Sequence, residues 1–263
     1  MMPIPRNLDL SDIDSVKPLA SEFATSLKTL KARSAPADFP WYSYDTLANV
    51  WHLADTLTGA NRSIYQDMRG MHIADIGGAD GDMAFLCEKL GATVDIIDNA
   101  PTNMNGLRGA QIVKEALGSK VNIHHIDLDQ MFTLPDKYDL VIFMGILYHL
   151  QNPYYVLSTL ARNVKKMVLS NKIANHPPRS LALENDSSYD KIPLAYLLDS
   201  RECNNDPTNY WVFSDAGMRR ILDRTGWNIL DYRSTTPEAR TDPVDLLADQ
   251  RMFCLLESRV FGT

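Results

Sequence analysis

His72-Ile73-Ala74-Asp75-Ile76-Gly77-Gly78-Ala79-Asp80-Gly81-Asp82 is an apolar run that reads as a strand, leading into a tight glycine turn and then the start of a helix. The small residues in the turn let backbone approach a ligand closely. A glycine-rich turn is weak evidence alone, because an ordinary strand-to-helix loop has the same appearance. The segments downstream of it sharpen the reading.

From Met71 onward, short apolar runs alternate with helical stretches, the pattern of βαβ units around a parallel sheet. Strands are expected at HIAD, TVDII, VNIHHI, YDLVIF and KMVLS. Helices are expected around Asp82 to Leu90, Asn105 to Leu117 and Pro153 to Val164, the last opening on a proline suited to a first helical turn. A polar stretch from Asn171 to Tyr210 then reads as an insertion rather than framework. Ser214 can cap a helix carrying Met218, Ile221 and Leu222 that ends near Gly226, and WNILDY and RMFCLLESRV can close the chain as an antiparallel edge.

Upstream, the first 70 residues read as helices. Leu19, Phe23, Leu27 and Leu30 share one apolar face, prolines interrupt the pattern at SAPADFPWY, and a second helix carries Leu47, Val50, Trp51 and Leu53 to Leu57. The expected organisation is a helical extension over 1–70 and an α/β domain over 71–263, with a substrate-side insertion at 171–213.

The chain has 263 residues and a mass of 29.6 kDa, enough to bury one large core. Its longest apolar run, Leu140 to Tyr148, is far short of the roughly 18 residues of a membrane span. The start MMPIPRNLDLSDID shows no secretory pattern, so a cytoplasmic address is expected. Cys87, Cys203 and Cys254 are widely spaced and imply neither a disulfide framework nor a metal cluster. A net charge of −7 disfavours a surface that grips nucleic-acid phosphates.

The acids carry the functional reading. Asp98 ends the second strand about twenty residues past the turn, where a carboxylate can accept hydrogen bonds from both hydroxyls of a ribose. Asp127 comes just after the third strand, where it can accept from an adenine amino group. Asp75, Asp98 and Asp127 thus fall at the carboxyl ends of successive strands, the edge at which open α/β sheets bind ligands. An NAD enzyme would share the turn and Asp98, but Gly77-Gly78-Ala79-Asp80-Gly81 departs from GxGxxG.

Asp75-Ile76-Gly77-Gly78-Ala79-Asp80-Gly81 resembles the Asp-x-Gly-x-Gly-x-Gly motif of class I S-adenosylmethionine-dependent methyltransferases, with Ala79 in place of the middle glycine. The resemblance runs from Met71 to the C-terminus. It implies a doubly wound, mostly parallel, seven-stranded α/β sheet of Rossmann-like type, its seventh strand inserted antiparallel. It also implies S-adenosylmethionine as cofactor, S-adenosylhomocysteine as product, and cofactor contacts at Asp75, Gly77, Gly78, Asp98, Asn99, Asp127 and Leu128.

Met144-Gly145-Ile146-Leu147-Tyr148-His149-Leu150-Gln151-Asn152-Pro153 is similar to a stretch of the bacterial enzymes that modify the wobble uridine of tRNA by carboxymethyl transfer. That likeness implies that Met144 and Tyr148 line the cofactor, with Tyr148 near the transferred group. Core packing is the competing reading for Met144. His149 is a candidate general base, or equally a residue that bonds backbone. Trp41 and Tyr44, in Pro40-Trp41-Tyr42-Ser43-Tyr44, match an aromatic segment that folds over the cofactor in those relatives, or they staple helix to sheet.

Arg251 is placed like a partner for a carboxylated cofactor, but no matching N-terminal lysine is evident and the relatives' basic N-terminal domain is shortened here. Ordinary S-adenosylmethionine and a small-molecule acceptor are therefore expected. A tRNA-modifying enzyme and a non-catalytic nucleotide-binding module are the alternatives.

Overall fold

The computed structural model describes residues 10–66, 68–181, 188–235, 240–244 and 249–263. Most of the N-terminal stretch without a secretory pattern, residues 1–9, therefore lies outside the described residues, as do 182–187 of the insertion and most of the loop before the last strand. The chain divides into two compact units, Met1–Ile142 and Phe143–Thr263.

In the first unit, α1 (Val16–Ser34) buries Val16, Ala20, Phe23 and Leu27, while Leu19 and Leu30 are half-buried, so the stripe turns slightly from the expected face. Helix α2 (Asn49–Thr56) buries Val50, Leu53 and Ala54, flanked by buried Leu47 and Leu57. Trp51 is 38% exposed, because its position lies about a quarter-turn from the centre of that stripe. Strands β1 (His72–Ile76), β2 (Thr93–Asp98), β3 (Asn122–His125) and β4 (Tyr138–Met144) pair in parallel in the order β3-β2-β1-β4. Nearly continuous burial along β1, β2 and β4 is what a sheet covered on both faces requires. Helix α3 (Asp82–Lys89) comes after β1, and α4 (Arg108–Leu117) after β2, starting three residues later than expected. Helix α1 packs on both.

In the second unit, α5 (Pro153–Asn163) opens on its proline as expected and leads into β5 (Val164–Ile173). This strand continues three residues into the stretch assigned to the insertion, over the buried run Asn171 to Ile173. The insertion is not without regular structure: it holds β6 (Ala195–Leu197), the short helix α6 (Glu202–Asn205) and β7 (Trp211–Phe213), around Ala174, Leu198, Cys203 and Val212. The expected strands are β1–β5 with β8 (Trp227–Ser234) and β9 (Gln250–Ser258), and the insertion adds β6 and β7. Strand β9 lies antiparallel between β5 and β8, which is the inserted closing pair. Cys87, Cys203 and Cys254 are free and buried. No helix among the described residues is long and apolar enough to cross a membrane.

Helix α7 (Asp215–Arg224) begins where Ser214 places it. The Ser214 hydroxyl donates to the Ile192 carbonyl at 2.6 Å and accepts from the N–H groups of Gly217 at 3.0 Å and Leu194 at 3.1 Å. One side chain thus caps the helix and ties the insertion to it. Ser214→Ala is expected to cost about 2 kcal/mol, at the upper end of a lost cap because two further bonds go with it. Urea titration measures it, and a loss under about 0.5 kcal/mol would refute this role.

Candidate active site

The glycine turn is held open from beneath. Gly77 has φ +69° and donates its N–H to the Ile97 carbonyl at 2.8 Å, tying the turn to β2. A Cβ on Gly78 would lie 2.7 Å from the Asp75 carboxylate, so any side chain there collides with it. Asp75 is 3% exposed and accepts the N–H of Ala84, the third residue of α3, at 3.1 Å. Gly81, at the N-cap, has no side chain to satisfy that donor. The Asp75 carboxylate thus lies under Gly78 and caps α3. Burial pushes its pKa up to about 7, against the Ala84 hydrogen bond and with added repulsion from Asp98 and Asp82.

Asp80 is 2% exposed and ties three segments to the turn. Its Oδ2 accepts from Lys31 Nζ of α1 at 3.0 Å and from the Tyr42 N–H at 3.1 Å, and its Oδ1 accepts from Asn105 Nδ2 at 2.8 Å. Lys31 also pairs with Asp82 at 2.8 Å and lies 5.3 Å from the Trp41 ring centroid. The aromatic segment is thereby fastened to the turn through Tyr42 rather than through the two residues singled out from the sequence. The Tyr42 hydroxyl accepts from the Met104 N–H at 2.9 Å, Tyr44 packs edge-on against Tyr42 and is 60% exposed, and Trp41 is half-buried against Phe39.

Asp98 ends β2 half-buried, its Oδ1 accepting from the Asn99 N–H at 2.7 Å and its Oδ2 from Asn103 Nδ2 at 2.9 Å. Burial raises its pKa; the hydrogen bonds from Asn103, Asn99 and Ala79 oppose the rise. Asn99 Oδ1 lies 3.0 Å from His125 Nε2. Asp127 is half-buried beyond β3 and accepts the Asp129 N–H at 2.9 Å, while Leu128 is 6% exposed. Asp75, Asp98 and Asp127 therefore belong to the carboxyl ends of three adjacent strands, but only Asp98 and Asp127 keep partly exposed carboxylates.

In the second unit, Gly145 (φ +73°) turns the chain out of β4 and donates to the Ser170 carbonyl at 2.9 Å. Met144 is half-buried. The Arg251 guanidinium carbon is 5.7 Å from the Tyr148 ring centroid, and its Nε pairs with Asp249 at 3.0 Å. Arg251 lies inside β9, opposite Lys172. His149 stacks beside Tyr148 at 4.3 Å and bonds the insertion through Nδ1, 3.2 Å from the Thr208 carbonyl and 3.0 Å from its hydroxyl. Burial lowers its pKa, opposed by Asp206.

Lys31, Tyr42, Asp80, Asn103 and Asn105 were not singled out from the sequence. The Asn103-Met104-Asn105-Gly106 run before a helix is a capping signal that could have pointed to two of them. Lys31 carries none, being one of several charges on an otherwise solvated helix face.

Residues 58–232 match the family described as Methyltransferase domain, more than half of the chain. The chain belongs to this methyltransferase-domain family. Its fold is similar to the N-terminal domain of EvdMO1 solved with SAH bound, at TM-score 0.54 and 16% identity over 90% of this chain and 96% of that one. The same domain in the presence of SAH and D-fucose matches at TM-score 0.51 and 15% identity, with the same coverage of 90% and 96%. An S-adenosylmethionine-dependent methyltransferase from Mesorhizobium loti matches at TM-score 0.51 and 16% identity, over 73% of this chain and 92% of that one. No curated protein matches the chain in sequence.

Two consequences test the turn. A Cβ on Gly109, inside α4, would sit 2.2 Å from Asp80 Oδ1, so Gly109→Ala, which in a free helix gains about 1 kcal/mol, is expected to lose about 1–3 kcal/mol by chemical denaturation. A gain would show that Asp80 is not held there. Asp75 has a folded pKa above its unfolded value, so folding favours its protonated form. Its contribution to stability is full below about pH 4 and declines as pH rises toward 7. Asp75→Asn should remove that decline, on the order of a few kcal/mol, when stabilities at pH 5 and pH 7.5 are compared. An equal slope in both proteins would refute the assignment.

Proposed function

We propose that this protein transfers a methyl group from S-adenosylmethionine to an O or N atom of a small molecule. The observation that carries the reading is the set formed by the open turn at Gly77 and Gly78 with the carboxylates of Asp98 and Asp127, on adjacent strands of one unit. Small residues at 77–79 let a ligand approach the backbone of the turn closely, while the partly exposed Asp98 suits the two hydroxyls of a ribose. Asn99 and Leu128 border these acids. Asp75 and Asp80 shape the turn.

When bound, S-adenosylmethionine supplies an electrophilic methyl with its own leaving group, so the protein's work is mainly alignment. In the second unit, we assign the acceptor side to the loop carrying Tyr148 and His149. The Arg251 guanidinium lies beside the Tyr148 ring. Similar folds solved with SAH bound, or described as S-adenosylmethionine-dependent, support the choice of donor. The net charge of −7 supports a small acceptor over tRNA.

Isothermal calorimetry with S-adenosylmethionine, S-adenosylhomocysteine and NAD tests the donor. Binding of the first two and not of NAD is expected, and NAD binding alone would overturn the reading. Asp98→Ala should weaken S-adenosylmethionine by more than about 1 kcal/mol, as the loss of charge-assisted hydrogen bonds requires. Unchanged affinity would remove Asp98 from the site.

A further inference from the structure

His149 is held by a polar chain that the insertion supplies. The Asp206 carboxylate accepts the Thr208 hydroxyl at 2.7 Å and the Thr208 N–H at 2.9 Å. With its single proton given to Asp206, the Thr208 hydroxyl can only accept from His149 Nδ1 at 3.0 Å. The second atom near Nδ1 is the Thr208 carbonyl at 3.2 Å, which has no proton to give. Both contacts therefore require the ring proton on Nδ1. That leaves the lone pair on Nε2, for which no hydrogen-bond partner is found among the described residues.

We propose that Asp206 and Thr208 are positioning residues that fix His149 in its Nδ1–H tautomer, so that Nε2 is the general base of the methyl transfer and the acceptor is a hydroxyl compound. This rests on reading the chain as a methyltransferase. A hydroxyl methylated without losing its proton would become an oxonium, whereas a neutral amine attacks through its lone pair and sheds its proton afterwards. A dedicated lone pair therefore selects for hydroxyl. As the acceptor O–H bond breaks, its proton passes to Nε2 and its electron pair forms the new O–C bond. The methyl C–S pair leaves with sulfur, and the positive charge moves from sulfonium to imidazolium, which returns its proton to water.

The groups bearing on the imidazole are Asp206 and Thr208 of the insertion, Arg251 of β9 and the Tyr148 ring of its own loop. Burial and Arg251 disfavour the imidazolium and Asp206 favours it, so the base is neutral at neutral pH yet able to take a proton in passing.

Long-range proton–nitrogen spectra of the 15N-labelled full-length protein report the tautomer directly, with His149 assigned by comparison with His149→Asn. The expected result is a protonated Nδ1 and a lone pair on Nε2. An Nε2–H tautomer would overturn the proposal without any variant being needed. In Asp206→Asn the His149 titration midpoint should fall by about 0.5 pH or more, because the carboxylate no longer favours the cation. An unchanged midpoint would also overturn it. The spectra need no donor, so failure here is separable from failure of S-adenosylmethionine binding, which would remove the base's role along with methyl transfer.

Discussion

A buried carboxylate in the glycine turn organises the first unit. Asp80 is taken almost wholly out of water, a cost of several kcal/mol unless the charge is paired and its lone pairs are used. Lys31, the Tyr42 N–H and Asn105 meet that requirement, and each arrives from a different segment. The turn therefore reaches its final geometry only when α1, the aromatic segment and the loop before α4 are all in place. The glycine inside α4 obeys the same constraint, since Asp80 occupies the space of its missing side chain.

This gives the N-terminal helices a part in the site. A helical extension can be read as an appendage, yet its lysine is the counter-charge of the turn and its aromatic segment is anchored by the same oxygen. Asp75 works from below in a complementary way, capping α3 and excluding a side chain at Gly78. The two acids of the motif are thus shape-determining groups, while Asp98 and Asp127 on the next two strands stay partly exposed.

The second unit repeats the principle with a neutral group. His149 belongs to the loop after β4, but the partners that decide its proton position come from a segment some sixty residues later in the chain. The insertion ties back through Ser214, through the Tyr210 N–H on the Tyr148 carbonyl and through Thr208. It is a structural component of the loop it contacts.

Local pattern was enough wherever one segment decides its own state. The alternation of apolar runs and helices announced the α/β class, HIADIGGADGD announced the turn, the spacing to Asp98 and Asp127 announced acids at the strands' carboxyl ends, and Ser214 announced a helix start. Local pattern misled where partners are distant. The burial of Asp75 under Gly78 is not a sequence property. Asn171 to Ile173 looked like insertion because a buried polar residue inside a strand resembles a loop. By itself, then, the order of residues determined the elements, their class and the positions of the acids, all of which depend on periodicity and local capping. Only tertiary packing decided which acids are covered, where the proton of His149 resides and what holds Asp80, because hydrogen-bond satisfaction of a buried group depends on segments that meet only after the chain has folded.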